Sequence, residues 1–257
     1  MKVYLFQFDA KWENKNANFE KILFLSAHLK IVKKSILVLP EMFATGFSLN
    51  PKVTAASEPN KTESFLSSLA KETKCWIIAG LTLPTQKHNL AKNCAVTFDP
   101  NGRRISEYTK IHPISILGEN NAHIAGDKIE TFPIRDFQVS PLICYDLRFP
   151  ELFRSALKLG TNLFIVIACW PKIRIEHWIT LLRARAIENQ AYIVGVNRIG
   201  KDPNIVYGGR SVIIDPVGEI IADGEENEGI VEAEIKKSKL DDWRTKFPVI
   251  EDIRGNL

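Results

Sequence analysis

Val96-Thr97-Phe98-Asp99-Pro100-Asn101-Gly102 returns far down the chain as Val212-Ile213-Ile214-Asp215-Pro216-Val217-Gly218. Each copy is a β-rich run followed by Asp-Pro-x-Gly. Proline presets φ and glycine accepts positive φ, so the tetrapeptide makes a tight turn into a second strand. Two matched hairpins are therefore expected. Around them, strand and helix signals alternate. An apolar strand covers residues 2–8, a helical pattern runs over about 13–33, and Ile36-Leu37-Val38-Leu39 reads as a strand entering a loop opened by Pro40. Thr62, with Phe65, Leu66, Leu69 and Ala70 on one face, signals a helix before the β-rich run Cys75-Trp76-Ile77-Ile78-Ala79-Gly80. A buried strand over 139–143 then leads into Cys144, followed by a helix from Pro150 to about residue 158 with Gly160 as its C-cap. A strand over 163–168, a helix over about 176–188 and a strand over 191–197 complete this half. Alternating α/β units plus two matched hairpins favour two similar sheets packed face to face, with helices outside, over one doubly wound sheet. No composition shift or Gly/Ser-rich linker interrupts the chain, so residues 1–257 are expected to form one domain.

Composition narrows the function. Apolar residues make up 45%, charged residues 25% and aromatics 9%, which suits a soluble enzyme-sized domain rather than a disordered or fibrous chain. The 34 Lys+Arg against 30 Asp+Glu leave +4, spread without a basic block, so a nucleic-acid partner is not expected. The longest stretch without a charged side chain is residues 159–171, 13 residues, where a membrane helix needs about 20. The N-terminal run before Asp9 is too short for a signal peptide, and a cytoplasmic location is expected. Cys75, Cys94, Cys144 and Cys169 show no Cys-x-x-Cys spacing, which indicates neither a disulfide framework nor a zinc ribbon. No metal or organic cofactor is expected, because His and Cys spacings give no ligand set and no Gly-rich phosphate loop follows a strand.

Three residues stand at the exits of strand signals. In Ser140-Pro141-Leu142-Ile143-Cys144-Tyr145-Asp146-Leu147-Arg148-Phe149-Pro150-Glu151 the thiol lies on a sharp strand-to-helix connection, at the kind of strand end where open α/β sheets bind ligands. It reads as a nucleophile or as a buried structural thiol. Glu41 follows an apolar strand and reaches the same sheet edge if both strands run the same way; otherwise it is a loop charge. Lys110, in Tyr108-Thr109-Lys110-Ile111-His112, follows the first hairpin and by itself is a surface lysine.

Taken together, Leu39-Pro40-Glu41-Met42-Phe43, Tyr108-Thr109-Lys110-Ile111-His112 and Cys144-Tyr145-Asp146-Leu147-Arg148-Phe149-Pro150-Glu151 resemble the Glu, Lys and Cys signatures of the nitrilase superfamily of carbon-nitrogen hydrolases, in order and at typical separations. The resemblance continues through Trp170-Pro171, His177-Trp178 and Arg183-Ala184-Arg185-Ala186-Ile187-Glu188-Asn189-Gln190-Ala191-Tyr192 to the second hairpin. Residues 39–47 and the Trp170-Pro171 segment are most similar to the bacterial ω-amidase branch. Two places depart from the usual pattern: Pro113-Ile114 stands where Leu-Phe is common, and Cys169 where Asn often precedes Trp-Pro.

The resemblance implies a four-layer α-β-β-α sandwich of two mixed sheets with outer helices. It implies a cysteine amidase that hydrolyses the distal amide of small 2-oxo dicarboxylic acid monoamides, 2-oxoglutaramate and 2-oxosuccinamate, through a thioester. Cys144 would be the nucleophile, its pKa lowered by Lys110 and the helix start. Glu41 would be the general base, and Lys110 with the Tyr145 N-H the oxyanion hole. Glu119 would be a second glutamate beside Lys110, or else a loop acid. Arg148, Trp170 and Arg174 are expected around the substrate, with Arg148, Lys172 and Arg174 as possible carboxylate partners. Arg148 would alternatively tie down the Cys144 loop through Asp146 or Glu151. His112, His123 and His177 are the rival bases of a Cys-His hydrolase. A nitrilase or N-carbamoyl amidohydrolase would share the triad, and a silent binding module would share only the fold. At least a homodimer is implied.

Overall fold

The computed structural model describes residues 1–55, 61–87 and 89–254. In chain order the elements are β1 (Lys2–Gln7), α1 (Lys15–Ala27), β2 (Ile36–Val38), α2 (Pro51–Thr54), α3 (Lys61–Thr73), β3 (Trp76–Pro84), β4 (Ala91–Phe98) and β5 (Arg104–Thr109). There follow β6 (Phe132–Ile134), β7 (Phe137–Ile143), α4 (Pro150–Lys158), β8 (Leu163–Ala168), α5 (Ile175–Asn189), β9 (Tyr192–Asn197), β10 (Ile199–Lys201) and β11 (Val206–Gly208). The chain continues through β12 (Val212–Ile214), β13 (Ile220–Asp223), β14 (Gly229–Glu234) and α6 (Lys237–Lys246).

Two six-stranded sheets result, ordered β14-β1-β2-β3-β4-β5 and β6-β7-β8-β9-β12-β13. Read from β14 and from β6, both sheets pair antiparallel, parallel, parallel, antiparallel, antiparallel. Period-two alternation distributes each strand between layers. Val3 and Leu5 face the second sheet in one core, whereas Tyr4 and Phe6 join Phe19 and Ile22 of α1 and Leu66 and Leu69 of α3 in another. Phe153 and Ala156 of α4 and Trp178, Leu182 and Ala186 of α5 pack on the far side of the second sheet. The four-layer α-β-β-α sandwich of two mixed sheets is thus present.

The repeated turns match atom for atom. Asp99 Oδ1 accepts the N-H groups of Asn101 (2.8 Å) and Arg103 (2.9 Å), and Asp215 Oδ1 accepts those of Val217 and Glu219 (both 2.9 Å). Gly102 and Gly218 hold φ of +75° and +93°, which the sequence anticipated by placing glycine there. Ladder irregularities fall at Thr97/Phe98 and Ile213/Ile214, equivalent positions.

Some elements differ from expectation. The first helix is shorter than 13–33: Asn14 caps it by accepting the Ala17 N-H (3.1 Å), and it ends at Ala27. Leu29 and Ile31 then leave the helix to pack against the core as a separate segment. The small β10–β11 ribbon carried no sequence signal that distinguished it from a loop.

Removing either turn aspartate leaves two backbone N-H groups without their acceptor. Asp99→Ala and Asp215→Ala are each expected to lower stability by about 1–3 kcal/mol in urea unfolding. Asp215→Ala should lose more, because its side chain is fully buried and also pairs with Lys239 at 2.5 Å.

Candidate active site

Parallel β-strands deliver loops to one end of a sheet, and both sheets present those ends to the same place. Glu41 follows β2, where Met42 takes φ of +46° and turns the chain sharply. Gly80 permits that turn: a Cβ there would lie 2.5 Å from the Glu41 Cα. Lys110 follows β5, with its N-H on Asn93 O (2.9 Å) and its carbonyl accepting from Gly126 (2.8 Å). Cys144 follows β7 in the left-handed region, φ +48°, and opens a short 3-10 turn before Pro150 starts α4. Such strain in a non-glycine residue persists only where its surroundings enforce it. Fully buried Asp146 does so. Its Oδ2 accepts from Ile143 N (3.1 Å) and Tyr108 OH (2.8 Å), and its Oδ1 from His112 N (2.9 Å).

Glu41, Asn93, Lys110 and Glu119 are all 0% exposed and bonded to one another. Lys110 Nζ lies 3.0 Å from Glu41 Oε1, and 3.1 and 2.8 Å from the two oxygens of Glu119. Asn93 Nδ2 donates to Glu41 Oε1 (2.7 Å) and to Glu119 Oε1 (2.9 Å). The Cys169 N-H donates to Glu41 Oε2 (2.9 Å), its thiol donates to Glu41 O (3.2 Å), and its own carbonyl lies 4.0 Å from Cys144 Sγ. Glu119 also takes the Ile114 N-H (2.7 Å), which makes it part of the cluster and not a solvated loop acid.

The electrostatics follow from burial. Desolvation works against the Lys110 ammonium, but the charges of Glu41 and Glu119 outweigh it and hold the amine well above its ordinary range. Burial raises the Glu119 carboxyl, yet the charge of Lys110, the nearby His123 ring and hydrogen bonds from Lys110 and Asn93 hold it well below the usual carboxylate range. Cys144 goes the opposite way from expectation. Burial and the charge of Glu41 push its thiol well above the ordinary range, and Lys110 opposes this without reversing it. Two carboxylates against one ammonium leave an excess negative charge beside the sulfur. Ionisation of the resting thiol is therefore disfavoured.

Cys144 lies at a pocket of about 400 Å³, walled by Phe47, Ile114, Leu117, Trp170 and Ile205, with Tyr145, Arg148 and Arg174 on the same lining. The Arg148 guanidinium sits 4.8 Å from the Trp170 ring and touches neither Asp146 nor Glu151, so it does not tie the Cys144 loop as one alternative held. Among the described residues neither Arg148 nor Arg174 has a carboxylate partner. Lys172 does not line this pocket; it pairs with Glu226 at 2.6 Å. His112 stacks on Phe149 (3.6 Å) and bonds Asp146, exposed His177 lies 3.4 Å from Arg148, and buried His123 stands 3.5 Å from Glu119. Sequence reasoning missed Asn93 and the amide of Cys169. A lone Asn inside the strand Ala91-Lys92-Asn93-Cys94-Ala95-Val96 was a usable signal for the first.

Residues 2–245 match the carbon-nitrogen hydrolase family model. The chain belongs to the carbon-nitrogen hydrolase family. Within this hydrolase family, a 2-oxoglutaramate amidase of Bacillus subtilis is 36% identical across 98% of this chain and 96% of its own length. The omega-amidase YafV of Yersinia enterocolitica is 35% identical over 98% and 96% respectively. The crystal structure of a CN-hydrolase superfamily protein from Xanthomonas campestris, with an arsenic adduct in its active site, matches with a TM-score of 0.91 at 28% identity, covering 100% of this chain and 98% of that one.

The lowered Glu119 carboxyl makes the hydrolase acid-sensitive. Between its folded value and the ordinary 4.5, the unfolded chain binds more protons, so this contribution is full above pH 4.5 and is lost as pH falls below it. Thermal unfolding followed downward from neutral pH should show that decline, and Glu119→Gln should show a shallower one. An equally steep decline in the variant would count against the assignment.

Proposed function

We propose that this hydrolase is a cysteine amidase that cleaves the distal amide of small 2-oxo dicarboxylic acid monoamides, such as 2-oxoglutaramate and 2-oxosuccinamate, releasing ammonia. The observation that carries the reading is the buried Glu41–Lys110–Glu119 cluster behind Cys144, at a pocket whose other lining includes two arginines without carboxylate partners among the described residues. The names of its relatives support the same substrate class.

Amides are weak electrophiles with a poor leaving group, so the nucleophile, proton carrier and oxyanion donors must be in place together. Cys144 attacks the amide carbonyl while Glu41 takes its proton. Glu41 then gives that proton to the departing ammonia, leaving a thioester on Cys144, and activates the water that hydrolyses it. Lys110 supplies positive charge to the oxyanion, and the Tyr145 N-H, in the first positions of the 3-10 turn, has no partner within that turn. Glu119 keeps Lys110 charged and oriented. Arg148, over the Trp170 ring, and Arg174 take the substrate's remote carboxylate.

The whole chain, residues 1–257, acts as one catalytic domain in this proposal, in the cytoplasm and as a homodimer or larger assembly. Half-exposed Ile187 on α5, beside the Gly218 turn, is an apolar surface that a second copy would cover.

Ammonia release across 2-oxo acid amides, aliphatic nitriles and N-carbamoyl amino acids tests the substrate class: the first group should be preferred, and preference for either other group would overturn it. Glu41→Gln keeps the shape but takes no proton, so its rate should fall by about 10⁴-fold or more, since one carboxylate serves both half-reactions. Cys144→Ser should be inactive and folded, Cys169→Ser active, and His112→Ala, His123→Ala and His177→Ala each active. A dead histidine variant beside a near wild-type Glu41→Gln would refute the mechanism.

A further inference from the structure

Among the described residues, Asn93 is the one uncharged side chain bonded to both carboxylates of the cluster. Both partners accept only, so the amide must turn its NH2 toward them, and the orientation of the group is fixed by chemistry. Its Oδ1 is then left buried without a donor. An unmatched buried carbonyl costs about 1–3 kcal/mol, and such groups are rare enough to require a reason. Fold stability alone supplies none, because an apolar residue would fill this inward position of β4 without the orphaned oxygen.

The pattern of donors supplies one. Glu41 Oε1 receives both Lys110 Nζ and Asn93 Nδ2, which occupies its two lone-pair directions. Among the described residues, Glu41 Oε2 receives one backbone N-H, that of Cys169. One lone pair on the carboxylate therefore remains for a proton, and it belongs to Oε2. Resting on the mechanism proposed above, we infer that Asn93 is a positioning residue: by saturating Glu41 Oε1 and bridging it to Glu119, it makes Oε2 the atom that takes the Cys144 proton. Without Asn93 the Oε1 edge of Glu41 would be held by Lys110 alone, and the carboxylate would be less tightly fixed about its terminal torsion, which is a soft one. Glu119 would lose the same donor, and the spacing of the two acids around Lys110 would rest on the ammonium alone.

Asn93→Ala, supported by the near-isosteric Asn93→Asp, tests this. The effect should appear in kcat, reduced about 10²-fold by misplacement of the base, with KM within a few-fold of wild type. Carboxylates that have lost a donor protonate at higher pH, so the acidic limb of kcat/KM should move upward in Asn93→Ala. Asn93→Asp sets a third acid against two acceptors and should be slower still at neutral pH. Thermal unfolding of Asn93→Ala should show some loss of stability, because two buried carboxylates each lose a donor, so kcat is compared per folded molecule. Alkylation of Cys144 by iodoacetamide requires no amide substrate and should slow in Asn93→Ala. It separates the two proposals: a wild type that turns over no 2-oxo amide defeats the substrate assignment, while alkylation still reads Asn93. Unchanged kcat, acidic limb and alkylation rate in a folded Asn93→Ala would overturn the inference, as would activity lost only in proportion to the unfolded fraction.

Discussion

A fully buried ammonium is untenable unless it is paired, and the site depends on how Lys110 meets that constraint. Taking an ion from water into a protein interior costs several kcal/mol, so Lys110 requires carboxylates at contact distance on more than one side. Glu41 and Glu119 provide them at 3.0 and 2.8 Å. The pairing overshoots, with two carboxylates for one ammonium, and the surplus sits next to Cys144, the proposed nucleophile. The same arrangement that stabilises the lysine therefore disfavours a thiolate. A nucleophile in such a field is activated at the moment of attack, by handing its proton to a neighbouring carboxylate, and not by a permanently lowered pKa. This is where the simple expectation of a lysine-activated thiolate fails.

The duplicated sheet explains how these groups meet. Under the shared strand order, β2 corresponds to β8, so Glu41, beyond the end of β2, and Cys169, beyond the end of β8, occupy related positions in the two halves. They are hydrogen-bonded to each other twice, once through the carboxylate and once through the main-chain oxygen of Glu41. The first half contributes Glu41, Asn93 and Lys110, and the second half contributes Cys144 and the Cys169 amide. The proposed reaction centre thus sits on the seam between the sheets. Neither half contains both the proposed base and the proposed nucleophile.

Much of this was legible in the sequence because it rests on local chemistry. The Asp-Pro-x-Gly turns require their residues for reasons of φ and of an aspartate that caps its own turn, and Pro150 marks the start of α4 to the residue. Glu41, Lys110 and Cys144 were readable because each ends a strand signal and all three carry a shared pattern. What escaped was non-local. Asn93 is significant only because β4 lies beside the loops carrying Glu41 and Glu119, and the Cys169 amide matters only through a backbone N-H that every non-proline residue possesses. The thiol's raised pKa depends on its burial and on the charges of Glu41, Lys110 and Glu119, brought together from distant parts of the chain, which no linear reading supplies. The first helix was overextended because the apolar pattern continues into Leu29 and Ile31, residues that pack against the core without staying helical.

The central claim is that Cys144 rests as a neutral thiol and gives up its proton only as it attacks. The most direct measurement is the pH titration of thiolate ultraviolet absorbance in the substrate-free protein, taken as the difference between wild type and Cys144→Ala. The account predicts no Cys144 thiolate through the neutral range, with its appearance only above the ordinary thiol value of 9.0. A thiolate already formed near neutral pH would contradict it.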